Sequence, residues 1–373
     1  MKYFLIAGEA SGDLHGSNLI RALHREDPDA EIRCWGGGRM EAAGARLLKH
    51  YRELSFMGFL EVLMHLPAIF RNIAACKRDI AAFRPDALIF IDFSGFNLRI
   101  ARWARQEGYR THYYISPQVW ATREGRVKSI RRDIDAMYVI LPFEKPFYEE
   151  KHNMPVHFIG HPLIDAMQHL EPPDAAAFCN AHGLDPGKPI VGLLPGSRRQ
   201  EVEKVLPVMI AASRSFPELQ FAVAGAPSLD PEYYATYLAG TGIVLVMDQT
   251  YPLLQLCRAA LVTSGTATLE TALLHVPQVV CYKGSWISYQ IAKRLIQLRY
   301  ISLVNLIMDR EVVPELIQND LTPKALGRTL TPLLEGPERQ QQLWDYKELQ
   351  ARLGGPGASA KAAALIVDFS RQA

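Results

Sequence analysis

Short apolar runs recur along the chain, each closed by a cluster of small or polar residues and followed by a stretch with apolar positions at helical spacing. Such runs read as buried strands of a parallel sheet, and the stretches between them as covering helices. Strands are predicted at residues 3–7, 32–35, 87–91, 111–115, 136–140 and 156–159, with helices at 14–25 and 40–45 near the start. A polar, proline-rich segment at 171–189 reads as a connection, after which the pattern restarts with strands at 189–194, 220–224, 243–247, 259–263 and 278–282. The expected fold class is therefore α/β, with two doubly wound, Rossmann-like domains spanning about 1–170 and 171–349.

Composition narrows this picture. The 373 residues are 49% hydrophobic and 21% charged, as in ordinary globular proteins, and the net charge of +2 points to no nucleic-acid partner. Five scattered cysteines, Cys34, Cys76, Cys179, Cys257 and Cys281, include no Cys-x-x-Cys pair, so they read as reduced thiols of a cytoplasmic protein. The first apolar run is too short for a signal-peptide core, and no window reaches the ~20 apolar residues of a spanning helix. No histidine pair has metal-ligand spacing, so neither a metal nor another cofactor is expected.

Five places carry candidate chemistry. From Gly192 to Glu203 a strand leads into a turn at Pro195 and Gly196 and a helix opened by Ser197, with Gln200 placed for a capping box. A helix start presents unpaired N–H groups, and Arg198 and Arg199 there either grip an anion or are solvated surface residues. Ser264, Gly265 and Thr266 repeat the theme, and Glu270 one turn on reads as a partner for ribose hydroxyls or as an ordinary first-turn acid. Two such helix starts at one crevice suit a diphosphate. In the first half, the turn Gly8-Glu9-Ala10-Ser11-Gly12-Asp13 lacks the Gly-x-Gly-x-x-Gly order and is a ligand approach or simply a tight turn. Asp92, at a strand end, reads as a general base or as a helix cap. The stretch 56–70, from Phe56 to Phe70, is apolar nearly all round and followed by Arg71, Lys77 and Arg78; it reads as core or as a segment dipping into an anionic bilayer interface.

Taken together, Gly8 to Asp13, Ile91-Asp92 with Phe96-Asn97, Tyr114-Ile115-Ser116-Pro117 with Val119-Trp120-Ala121, Leu141-Pro142-Phe143-Glu144, Phe158-Ile159-Gly160-His161, Leu193 to Arg198 with Glu201-Val202-Glu203, Ser264 to Ala267 with Glu270, and Ser302-Leu303 with Asn305-Leu306 resemble the lipid-A-disaccharide synthase family in sequence and order. The resemblance implies a metal-independent, inverting glycosyltransferase whose two Rossmann-like domains face each other across a cleft, the GT-B arrangement. It implies transfer of 2,3-diacylglucosamine from UDP to the 6-hydroxyl of 2,3-diacylglucosamine 1-phosphate in lipid A biosynthesis. It further implies peripheral attachment to the cytoplasmic face of a Gram-negative inner membrane, which turns the reading of 56–70 toward the bilayer. UDP is expected between Gly196 and Gly265 with Arg198, the acceptor proton at Asp92, and Ser11, Gly12 and Asn305 as site contacts. A last helix at about 350–373 is expected to return to the first domain, and a homodimer stays open.

One departure stands out. Where the family commonly carries a second acid after Asp92, this chain has Phe93, Ser94 and Gly95. Two rival readings are a UDP-sugar 2-epimerase of the same fold and a non-catalytic nucleotide-sugar-binding membrane protein.

Overall fold

A computed structural model describes residues 1–54, 66–168, 170–284 and 299–372. The chain divides into two compact units, Met1–Gln168 with Leu353–Ala373, and His169–Arg352. Each is a parallel sheet covered by helices, and each is taken in turn.

The first unit holds seven strands in the order β3-β2-β1-β4-β5-β6-β7: β1 (Lys2–Ala7), β2 (Glu31–Gly36), β3 (Arg46–His50), β4 (Ala87–Ile91), β5 (Thr111–Tyr114), β6 (Ala136–Val139) and β7 (His157–Phe158). Alternation along β1 fills both faces. Phe4 and Ile6 join a core with Trp35, Phe90 and Tyr113, while Tyr3, Leu5 and Ala7 point into the opposite core with Leu19 and Leu23. That second face is closed by the C-terminal helix Ala358–Arg371, which contributes Ala362, Ala363, Ile366 and Val367. Asp165 caps the start of this helix, accepting from the backbone N–H groups of Gly357 (2.6 Å) and Ser359 (2.9 Å). Arg110 donates to the carbonyls of Phe369 and Ser370 at its far end.

The second unit holds six strands in the order β10-β9-β8-β11-β12-β13: β8 (Ile190–Leu194), β9 (Gln220–Gly225), β10 (Val244–Met247), β11 (Cys257–Thr263), β12 (Gln278–Tyr282) and β13 (Glu315–Ile317). The segment read as a connection is part of this unit. It contains the helix Ala175–His182, started by Asp174 accepting from the Ala177 N–H at 3.0 Å and ended by Gly183 at φ +68°. Its Phe178 and Cys179 pack with Leu194, Ala222 and Val262.

Two strands escape the hydrophobic pattern. β3 reads Arg-Leu-Leu-Lys-His at the sheet edge, and β13 is three residues long. The apolar stretch from Phe56 to residue 65 lies outside the described residues. Its end enters the helix Leu66–Phe83, where the Phe70 side chain is 64% exposed. Among the described residues no helix is long and apolar enough to cross a membrane.

Candidate active site

In both sheets the strand order reverses direction once, between β1 and β4 and between β8 and β11. Ligands of open parallel sheets bind at that point, beyond the carboxyl ends of the strands. All the sequence-predicted site residues except Glu270 and Asn305 lie immediately beyond those four strand ends, and Glu270 follows one turn on.

In the first unit Ala7 and Ile91 are register partners, so Gly8 and Asp92 leave the sheet side by side. Asp92 and Phe93 both take left-handed backbone conformations, at φ +43° and +46°. Non-glycine residues hold such conformations at a cost, and the surroundings must fix them. Here the Asp92 carbonyl accepts from Asn97 Nδ2 at 2.8 Å and from the Tyr113 hydroxyl at 2.6 Å. Asp92 therefore does not serve as the cap of the next helix; that position is Phe93, without a side-chain bond. The Asp92 carboxylate reaches solvent but is crowded by protein, and this desolvation, with the negative charge of Glu9, pushes its pKa up to about 6. Glu9, from another loop, is thus an acidic neighbour of Asp92.

The Gly8 to Asp13 stretch divides by role. The helix starts at Ala10 and runs to Glu26, so Ser11, Gly12 and Asp13 belong to its first turn. A Cβ on Gly8 would fall inside the Phe93 ring. A Cβ on Gly12 would meet that of Ala7 at 3.0 Å, so this glycine seats the helix on β1 and is buried. Ser11 is exposed at the helix start. Asp13 accepts from the N–H groups of Arg39 (3.2 Å) and Met40 (3.0 Å), tying the helix to the loop after β2.

In the second unit Leu194 pairs with Val262, so the turns that follow Leu194 and Thr263 leave the sheet near each other. The first helix beyond runs Arg199–Ser213, and its capping differs from the expectation. Ser197 and Gln200 form no box. Instead the Glu201 carboxylate folds back and accepts from the N–H groups of Ser197 (3.1 Å) and Arg198 (3.3 Å). Gly196, at φ +112°, makes room for it, since a Cβ there would lie 2.5 Å from Glu201 Oε2. The two arginines separate. Arg199 stacks over the Tyr233 ring at 4.9 Å, while Arg198 stays 77% exposed, with Glu201 Oε1 at 3.7 Å.

Gly265 precedes the helix Thr266–Leu273. Ser264 donates its hydroxyl to the Ile301 carbonyl at 2.9 Å. Glu270 accepts from the Tyr251 hydroxyl at 3.1 Å, and burial raises its pKa. Asn305 is fully buried, and its amide is used up within the protein. Its Nδ2 donates to Val313 O (2.8 Å) and Glu315 Oε1 (2.9 Å), and its Oδ1 accepts from the Val312 and Val313 N–H groups. Asn305 thus braces a loop. Glu315 completes the brace by accepting from the N–H groups of Ile301 and Ser302. Among the described residues no cluster of histidine, cysteine or carboxylate side chains is placed to hold a metal ion.

Comparison with known proteins shows the family. The model of the lipid-A-disaccharide synthetase family matches residues 3–368. The chain belongs to that family. The lipid-A-disaccharide synthase of Geobacter sulfurreducens is 40% identical over 375 residues, covering 99% of this chain and 97% of its own. That of Myxococcus xanthus is 36% identical with the same coverages, 99% and 97%. Membership makes the chain an enzyme of a glycosyltransferase family.

Solved structures share the fold at low identity. The S. aureus MnaA complex with UDP has a TM-score of 0.70 at 12% identity, covering 99% of this chain and 96% of that one. The calicheamicin glycosyltransferase CalG4 has a TM-score of 0.58 at 16% identity, covering 100% and 98%. The paired Rossmann-like units are thus the GT-B architecture, which epimerases and glycosyltransferases share.

Proposed function

We propose that the chain transfers 2,3-diacylglucosamine from its UDP conjugate to the 6-hydroxyl of 2,3-diacylglucosamine 1-phosphate, inverting the anomeric centre to give the β-1,6 disaccharide 1-phosphate and UDP. The observation that carries this reading is the family match across residues 3–368. In the reaction, a bond forms between the acceptor oxygen and the anomeric carbon as the bond to the diphosphate breaks.

Asp92 takes the acceptor proton. A pKa of about 6 leaves it ionised at neutral pH yet basic enough to matter, as a general base requires. UDP is held in the second unit by the turns at Gly196 and Gly265. Arg198, the exposed guanidinium at the first turn, and the helix N-termini neutralise charge on the departing diphosphate. Glu270, close to the second turn, is placed for the ribose hydroxyls. Ser11 lines the first-unit side at the exposed start of its helix.

Both substrates carry acyl chains, so the protein works at a membrane surface, on the inner leaflet. The exposed Phe70 beside Arg71, at the end of the stretch beginning at Phe56, supports docking there. Sedimentation with anionic vesicles that fails to depend on 56–70 would remove this part.

The deciding experiment is UDP release from UDP-2,3-diacylglucosamine with and without the acceptor. Acceptor-dependent release with disaccharide formed supports the transferase. Turnover of UDP-N-acetylglucosamine without acceptor would favour the epimerase reading, and UDP-sugar binding without turnover the non-catalytic one.

A further inference from the structure

Beyond β4, two more strand ends belong to the same edge of the first sheet. Ile91 pairs with Tyr114 and Tyr114 with Tyr138, so the loops after β4, β5 and β6 emerge in a row. The middle loop begins at Ile115, whose φ of +66° is left-handed. A β-branched residue resists that conformation more than most, so something must hold it.

What holds it comes from the third loop. Glu144 is 1% exposed and has no ion-pair partner among the described residues. Its Oε1 accepts from the Ser116 hydroxyl at 2.5 Å, and its Oε2 from the N–H groups of Ile140 (3.1 Å) and Leu141 (2.9 Å). An uncompensated buried carboxylate is costly, and a local turn needing only two N–H acceptors would be served by a neutral amide. The bond to Ser116 is what the carboxylate adds. Around it, the Tyr148 hydroxyl reaches the Pro117 carbonyl at 3.5 Å, and Trp120 stands edge-on to Phe143 with centroids 4.8 Å apart.

The connection reaches the proposed base through β5. Tyr113, three residues before Ser116, donates the 2.6 Å bond to the Asp92 carbonyl. We propose that Glu144 is a positioning residue that, through Ser116, holds the left-handed turn at Ile115 and thereby fixes Tyr113 and Asp92 for the transfer. The proposal rests on the transferase reading above.

Titration follows from the same surroundings. The groups facing Glu144 are the Ser116 hydroxyl, the Ile140 and Leu141 N–H groups, the Trp120 indole and the Tyr148 phenol, itself kept neutral by burial. Burial without a facing cation pushes Glu144 up to about 7. Protonation costs it acceptor capacity, so the turn loosens as pH falls through that value.

The test uses the full chain with Glu144→Gln, Ser116→Ala and both together, measuring kcat, KM and unfolding temperature. The Trp120 fluorescence, taken as the difference from Trp120→Phe, is followed between pH 5.5 and 8.5. Each single variant is expected to lower kcat roughly tenfold with little change in KM, as for a displaced catalytic group. The double variant should be no worse than either, because both act on the one Ser116–Glu144 contact. The Trp120 signal should titrate near neutrality in the parent and stay flat in Glu144→Gln.

Additive losses, an effect on KM alone, or an unchanged titration in Glu144→Gln would overturn the proposal. So would losses that only follow a lowered unfolding temperature. If Glu144→Gln does not fold, Ser116→Ala carries the same test. A parent that releases no UDP with acceptor present would sink the transferase reading, while the Trp120 titration would still decide whether Glu144 governs the turn.

Discussion

The carboxylate of Glu201 accepts the backbone N–H of Ser197 at 3.1 Å, so one of the donors expected for an anion is already engaged by the protein. Arg198 N–H is engaged in the same way. A phosphate at the proposed site would meet the exposed Arg198 side chain, in a loop whose shape Glu201 sets. Glu201→Ala should destabilise the unit by about 1 kcal/mol, as loss of a helix cap does. It should also weaken UDP binding more than Glu201→Gln, which keeps an acceptor. Equal dissociation constants for the two variants, by calorimetry, would show that the carboxylate does not shape the site.

Asp92→Asn should lower kcat/KM by roughly two to four orders of magnitude. The parent's kcat/KM should fall as pH drops through about 6, because protonated Asp92 cannot take the acceptor proton. Stability has the opposite sign. A folded pKa above the unfolded value means the ionised form is disfavoured in the fold, so the contribution is present in acid and lost as pH rises through 6. Asp92→Asn should therefore unfold at pH 7.5 no more easily than the parent. Glu9→Gln, by removing the neighbouring charge, should move the acid limb of the rate profile to lower pH.

Gly8→Ala places a methyl where the Phe93 ring lies. Activity should drop by roughly tenfold or more as Phe93 and Asp92 shift together. Adding Phe93→Ala should restore part of it. A Gly8→Ala enzyme with unchanged kcat would mean that the ring moves aside without dragging the base.

Asn305→Ala strands the N–H groups of Val312 and Val313 and takes a donor from the Val313 carbonyl. Stability should fall by about 2–3 kcal/mol in urea unfolding, the cost of buried polar groups left unpaired. UDP affinity measured on protein that remains folded should change little if Asn305 only braces the loop.

The two sheets were legible because parallel strands buried on both faces leave continuous apolar runs. β3 and β13 were not, since an edge strand with Arg46 and Lys49 and a three-residue strand carry no such run. Asp92 could be placed because it directly follows an apolar run. Glu9, Glu144, Glu201 and Glu315 could not be given roles, because each acts on residues brought near by folding or by a reversed turn. The bracing role of Asn305 was hidden for the same reason: a motif marks a residue as needed without saying whether it faces a ligand or a loop.

The core of the first unit is finished by a helix from the other end of the chain. During synthesis, residues 1–168 emerge first, and the core on the Leu5 and Ala7 face of β1 lacks Ala362, Ala363, Ile366 and Val367 until 353–373 follow. The ribosome must add about 180 residues in between, which takes roughly 10–40 s at bacterial-range elongation speeds. The second unit, continuous in sequence, can complete itself within that interval. The nascent first unit thus waits with one of its two cores only partly closed, and is the last part of the molecule to be completed.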